Sequence, residues 1–458
     1  MRRSVRALGM ALVGAVALAA CAPEGPTVEP IDPLEPRTRQ RLVFRDPQEC
    51  RDCHPEHVRD WEGSMHAYAM VDPVFHALAD LVASDFEGQA GQLCTQCHSV
   101  PGFLGNETVV SRAPDGQFEQ RTEGLSPVAQ AGVSCDVCHQ IAEVLAPQNA
   151  NIRLVPDGTV RGPFADPQPN AFHASIESPL HRSGEVCTGC HAFVLPIVGR
   201  EVPLETTAHE WRDEYLAGGG ERSCQDCHMV AREGRAAVDG PMRTIHAHTF
   251  EAVDIALVDF PDRERQRGLV EALLRTAVEM DVTVMADPLR AEVGLRNLAG
   301  HAVPSGVTVE RRMWVELQLV RDEGGEVIWS TGVVATDEDL PDGIDERPND
   351  PALWWFGTLA LDTERPGVPP EVIELGHRAS AVETRLLRPH ERQTRTIEVP
   401  LAPAAGAYTL RARLLMRPMQ PHLLRTLERL RVRPLAPGLI EQLPIFEMAA
   451  REVAVVVP

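Results

Sequence analysis

The pattern Cys-x-x-Cys-His occurs five times between Cys50 and His228, and no other feature constrains this chain as strongly. The copies are Cys50/Cys53/His54, Cys94/Cys97/His98, Cys135/Cys138/His139, Cys187/Cys190/His191 and Cys224/Cys227/His228. On one helical turn, cysteines at i and i+3 and a histidine at i+4 share a face. Two thiols can then form thioethers to the vinyl groups of a haem while the imidazole binds its iron, so the spacing reads as c-type haem attachment. A zinc site would have to pool four ligands from two copies, with no reason for a histidine after every second cysteine. A disulfide framework would not need the histidine at all. Five haems between residues 50 and 228 leave little chain for each. The porphyrins must therefore supply much of the N-terminal core, which should hold little regular structure and should not fold without them.

The motifs use ten of the eleven cysteines. The eleventh, Cys21, closes Leu18-Ala19-Ala20-Cys21 after a start with Arg2, Arg3 and Arg6 and an apolar run, the layout of a secretory signal. That ending resembles a bacterial lipobox. It makes residues 1–20 a signal peptide and Cys21 the acylated first mature residue, with Ala22 resembling an outer-membrane address. Pro23, Pro26, Pro30, Pro33 and Pro36 make residues 21–44 an extended tether holding the rest off a membrane. No later apolar run approaches the length of a membrane-spanning helix. All 44 basic residues are arginine and the formal charge is −22, which excludes a basic nucleic-acid surface and favours basic protein partners.

The runs Trp61-x-x-Ser64-x-His66-Ala67, Gly132-Val133-Ser134-Cys135-Asp136-Val137-Cys138-His139, Ser183-Gly184-Glu185-Val186-Cys187-Thr188-Gly189-Cys190-His191 and Cys224-Gln225-Asp226-Cys227-His228-Met229 resemble the multihaem cytochromes c of the cytochrome c-554-like group, over residues 45–310. The resemblance implies close-packed haems in a mostly helical and coil scaffold that passes electrons in the periplasm or at the cell surface. Carriers and enzymes both occur in that group. Nitrite and tetrathionate reductases among multihaem cytochromes use an active-site lysine, and this chain has none.

Each motif offers one axial imidazole, so the group facing it decides what that iron can do. The 17 histidines less the five in the motifs leave twelve. His66 is the first candidate for a distal ligand. His246 and His248 resemble a pair that follows the last motif in the group. His173 and His181 precede the fourth motif, and at least one should ligate. His301, in Gly300-His301-Ala302-Val303-Pro304-Ser305-Gly306, resembles a turn found after the haems and would fasten the C-terminal part to one of them. His57, His76 and His209 read as solvated or supporting residues, and His377, His390 and His422 as surface residues. Abundant histidine makes bis-histidine ligation the default over Met65 or Met70.

Asp262 to Met280 has the spacing of an amphipathic helix, a connector at 261–280 between a haem domain at 45–260 and a C-terminal domain at 281–458. Beyond it the period falls to two. Asp281–Met285, Arg312–Val320, Glu326–Trp329, Gly357–Leu361, Thr394–Val399, Tyr408–Leu415 and Glu452–Val457 read as strands, which predicts an antiparallel β-sandwich. The expected fold class is α+β: a helical and coil multihaem domain followed by that sandwich. Asp337 to Asp350 reads as a solvated acidic loop, and Trp354-Trp355 as core or a docking patch.

The leading functional reading is an exported, lipid-anchored relay passing electrons between redox partners through five haems. The runner-up is an oxidoreductase with one five-coordinate haem open to a small nitrogen or sulfur compound. A third is a docking lipoprotein whose haems serve a larger complex.

Overall fold

The computed structural model describes residues 43–458 except 89, 198–199, 343–349, 365–370 and 432. Cys21, the 1–20 segment and nearly all of the 21–44 tether lie outside the described residues. Helices and antiparallel sheets together give an α+β architecture. Among the described residues no helix is long and apolar enough to cross a membrane.

In the haem-motif region the longest helix is Pro73–Asp85, begun by Pro73 and capped by the Asp72 carboxylate, which accepts from Val74 N–H. The remaining helices there are one or two turns long, as Pro55–Glu62 is. Between them lie five two-stranded ribbons, among them Phe193–Ile197 with Arg200–Glu205 and Ala231–Arg235 with Met242–His246. These ribbons were not part of the helix-and-coil expectation. They are too short for an alternating apolar face, so periodicity carries no trace of them.

The helix Arg263–Ala277 stops short of Met280 and runs directly into a strand, β1 (Val278–Ala286). The alternation expected from Asp281 already begins at Val278, which pairs with Asn297 of β2 (Leu289–Asn297). The C-terminal strands continue as β3 (Arg312–Arg321), β4 (Val327–Thr331), β5 (Trp354–Asp362), β6 (Glu371–Ile373), β7 (Ala381–Arg385), β8 (Arg392–Glu398), β9 (Gly406–Arg417) and β10 (Phe446–Val457). One sheet has the order β1-β2-β8. The other runs β6-β5-β3-β9-β10, with β4 on β3 and β7 on β5. Met280, Val293, Leu295 and Ile397 from the first sheet share one core with Met313, Val315, Leu317, Leu410 and Leu414 from the second. Trp354 is buried in this core and Trp355 in a separate cluster with Trp314, Leu340 and Leu415, which removes the docking patch.

Several polar groups read as solvated are instead tied down. Asp339 meets Arg425 and His422, and Asp342 meets Arg312 at 2.6 Å, so the described part of the acidic loop is pinned by buried charge. His377 and His422 are buried, not superficial, because each lies against one of these or similar carboxylates. His390 stays at the surface, as read, while its ring stacks on Tyr215 and bonds the Tyr215 carbonyl at 3.1 Å.

The helix Pro73–Asp85 joins the two halves. Val74, Ala77 and Leu81 pack against Leu423, Leu424 and Leu427 of the helix Pro421–Leu430. Buried Asp80 takes Arg433 at 2.6 Å, and Asp85 takes both His377 and Arg378. Burial works to raise Asp85, but His377 and Arg378 outweigh it and hold the carboxyl at about 2, below its ordinary 3.8. The clasp therefore contributes stability above pH about 4 that is lost as pH falls through about 2. Asp85→Asn should lower stability near neutral pH by about 1 kcal/mol after allowance for solvent screening. Denaturant unfolding at neutral pH and again at pH about 2 checks this, since the difference from the parent should close in acid.

Candidate haem sites

Each motif histidine follows its first cysteine by one helical turn. His54 N–H donates to Cys50 O at 2.8 Å, His98 to Cys94 at 3.1 Å, His191 to Cys187 at 3.1 Å and His228 to Cys224 at 2.9 Å, while Cys135–His139 is a short helix of its own. The ten motif cysteines are unbridged, and no cluster of three or more metal-ligating side chains exists among the described residues. That fits thioether attachment and leaves no tetrahedral zinc set. The thiols stand where thioether sulfurs would be.

The motifs pack on one another. The thiols of Cys50 and Cys135 lie close enough to shift each other's ionisation, as do those of Cys97 and Cys190, and of Cys187 and Cys224. Cys138 lies close to Cys187 and Cys190. The fourth motif thus touches the second and fifth and neighbours the third, which touches the first. Gly184 makes one of these approaches feasible: a Cβ there would sit 2.8 Å from Cys224 Sγ and 2.8 Å from the Trp211 ring.

Cys53 departs from the enclosed setting expected of a thiol in a porphyrin core. It is exposed, while the other nine motif cysteines are partly buried. The thiol packing of the first motif runs to the third alone, through Cys50 and Cys135, so this motif ends the packed series and its second cysteine has no neighbouring motif to cover it. The Cys53 backbone is nonetheless fixed, its carbonyl accepting from Val238 N–H at 2.8 Å.

Two imidazoles sharing an iron hold their ring centres roughly 6.2 Å apart, from two metal–nitrogen bonds of about 2 Å and about 1.1 Å from each Nε2 to its ring centre. Four motif histidines have a partner at this separation. His54 faces His173 at 6.4 Å with ring planes 22° apart, His139 faces His248 at 6.3 Å and 21°, and His228 faces His301 at 6.1 Å and 18°. His191 faces His66 at 6.2 Å with a wider angle of 42°. The Nδ1 atoms of the first three pairs lie against backbone carbonyls: His54 on Ala236, His139 on Arg161 and His228 on Glu251, each at 2.6 Å, with His173 on Ala174, His248 on His246 and His301 on Ala302. An Nδ1 facing a carbonyl carries the proton, which leaves the Nε2 lone pair for metal. Burial also keeps the rings neutral, pushing His66 down to about 3 and His228 to about 4.

His191 has a different support. Its Nδ1 lies 3.5 Å from Glu205 Oε1. Burial pulls His191 down, but Glu205 carries it up to about 9. Glu205, the last residue of the ribbon strand Arg200–Glu205, stays below the ordinary carboxylate range because His191 and Arg311 outweigh its burial.

His98 has no facing imidazole at the shared-iron separation among the described residues. The Phe75 ring lies parallel to it at 4.1 Å and fixes its plane. The other expected ligands are placed elsewhere. His181 stacks beside His139 at 5.6 Å, with Nε2 bonded to the Cys138 carbonyl and Nδ1 buried without a hydrogen-bond partner. His246 bonds the Met229 carbonyl through Nδ1 and faces no motif histidine. His76 is buried and bonds the Met70 carbonyl, and His57 packs edge-on to His248 at 4.6 Å.

The His301 turn is held by a residue without sequence signal. Buried Glu210 accepts from Ala302 N–H, from the Ser305 hydroxyl at 2.7 Å and from the Thr206 hydroxyl at 2.7 Å. It opens a π-helical turn, Glu210–Leu216, and this geometry is invisible to a 3.6-residue period.

The family described as cytochrome c554 and c-prime matches residues 49–140, the span of the first three motifs. This is shorter than the 45–310 over which the sequence resembles that group. No curated protein matches the chain. Among solved structures, a penta-heme cytochrome c552 from Thermochromatium tepidum is similar in fold, with a TM-score of 0.60 at 22% identity, covering 91% of this chain and 100% of that one. The family match and the structural likeness, set on the motif geometry above, support a multihaem cytochrome c with covalently bound haem.

Proposed function

We propose that this chain is an exported electron relay, anchored to the outer membrane through Cys21, that carries five c-type haems, four with two histidine ligands and one held by His98 on a single side. Four imidazole pairs at the separation of a shared iron carry the reading. The haems attach at Cys50/Cys53, Cys94/Cys97, Cys135/Cys138, Cys187/Cys190 and Cys224/Cys227. Their axial pairs are His54–His173, His139–His248, His191–His66 and His228–His301. Haem iron supplies a one-electron couple whose potential follows axial ligation, burial and hydrogen bonding. The protein's own residues fix ring planes and tautomers, keep water out and set the order of sites. Thiol packing supports the order first, third, fourth motif, with the second and fifth both meeting the fourth. The acidic surface suits basic redox partners.

The unpaired His98 favours a second reading in which that iron takes a small nitrogen or sulfur compound. EPR of the fully oxidised, haem-loaded protein tests both, with and without nitrite or hydroxylamine. The expected spectrum has four low-spin haems and one high-spin haem that shifts on ligand addition. Five low-spin haems indifferent to these ligands would end the second reading and leave the relay. More than one high-spin haem would break the four-pair assignment.

A further inference from the structure

Among the motif histidines with an Nδ1 partner, His191 alone lies against a carboxylate; His54, His139 and His228 lie against neutral carbonyls. Glu205 is enclosed, with its side chain 18% exposed, and its backbone bridges to Val307 beyond the His301 turn, so it is gripped from both halves of the molecule. Its charge also reaches His98. Arg311 opposes it from nearby, but that guanidinium is engaged by Asp254 at 2.6 Å and by the Ser305 carbonyl. The motif that Glu205 serves is the one that meets three others.

We infer that Glu205 is a potential-setting residue for the haem held by Cys187, Cys190 and His191, lowering its reduction potential relative to the carbonyl-supported haems. The inference rests on the His66–His191 pairing proposed above. A carboxylate acceptor polarises the Nδ1–H bond and makes the imidazole a stronger donor to ferric iron. Its negative charge in a low-dielectric interior also opposes the electron that reduces the iron. Both effects act in the same direction, and they act at the junction of the proposed route. A reducing junction passes an electron on to one of its neighbours and does not store it. Glu205 would thereby keep the second-motif and fifth-motif branches in exchange with the rest of the chain.

The test is a potentiometric titration of the haem-loaded parent and Glu205→Gln, read by visible spectra and by EPR. The His66–His191 haem is distinguishable because its ring planes are 42° apart while the other pairs lie between 18° and 22°. Glu205→Gln is expected to raise the potential of that haem by at least tenfold in its one-electron equilibrium, about 59 mV. The remaining haems should move less, with the His98 haem next in order. Unmoved potentials, or an equal shift in every haem, overturn the inference. Should Glu205→Gln fail to assemble its haems, Glu205→Asp decides: its shorter side chain withdraws the carboxylate and should raise the same potential by a smaller factor, and no rise overturns the inference. The parent spectrum is read first. If it lacks a low-spin signal of wide ring angle, the pairing itself is wrong; a normal parent with unmoved variants removes only the role of Glu205.

Discussion

A haem-loaded His301→Ala protein should show one more high-spin ferric haem than its parent, at the expense of one low-spin haem. His301 faces His228 at 6.1 Å, and among the described residues no other imidazole ring is paired with His228 at that separation. The loss should therefore be complete for that haem and absent from the other four, which EPR integration checks. Glu210→Ala should reproduce part of the effect with His301 intact, because it removes the acceptor for Ala302 N–H and the Ser305 hydroxyl. His246→Ala and His181→Ala should leave the low-spin count unchanged, since neither ring faces a motif histidine across a shared-iron gap. A low-spin loss in either of those variants would redirect the pairing.

Asp342→Ala should destabilise the C-terminal sheets by about 3–5 kcal/mol, the usual result of removing one partner from a buried ion pair. The Arg312 side chain is 0% exposed and its Nε donates to Asp342 Oδ2 at 2.6 Å. Its guanidinium also lies 5.0 Å from the centre of the Trp355 ring, so the orphaned charge has little room to reach water. Denaturant unfolding followed by tryptophan fluorescence reads the change directly, with the midpoint falling and the haem spectrum initially unaltered. A drop below about 1 kcal/mol would mean that the cation finds water or another carboxylate. Arg312→Met with Asp342→Leu should recover much of the loss, because an apolar pair of similar volume carries no desolvation penalty.

What could be read in advance follows from how local each feature is. A thioether pair and its histidine need only one helical turn, so Cys-x-x-Cys-His carries its own geometry. How deeply each thiol sits is not local: Cys53 is exposed while its nine counterparts are partly buried. Strands such as Arg312–Arg321 and Gly406–Arg417 announce themselves by alternating apolar residues, although the first is buried on both faces over most of its length and the second at its C-terminal end. Strand Leu289–Asn297 was missed although Leu289, Ala291, Val293 and Leu295 alternate along it and it pairs on both sides. The acidic loop and the histidines at 377 and 422 were misjudged for one reason. Their charge was visible, but the arginines and aspartates that bury it come from remote parts of the chain.

The same distinction governs the haem sites. The five Cys-x-x-Cys-His motifs proposed to attach haem are contiguous words of the sequence. Which imidazole faces each of them is a matter of long-range approach: His173 to His54, His66 to His191, His248 to His139, and His301, from beyond the haem segment, to His228. Glu205 beside His191, and Glu210 beneath the His301 turn, have no motif to mark them. An imidazole or carboxylate acts on a metal site through a few ångströms of space whatever its distance along the chain, so only folding decides which imidazoles approach the motif histidines.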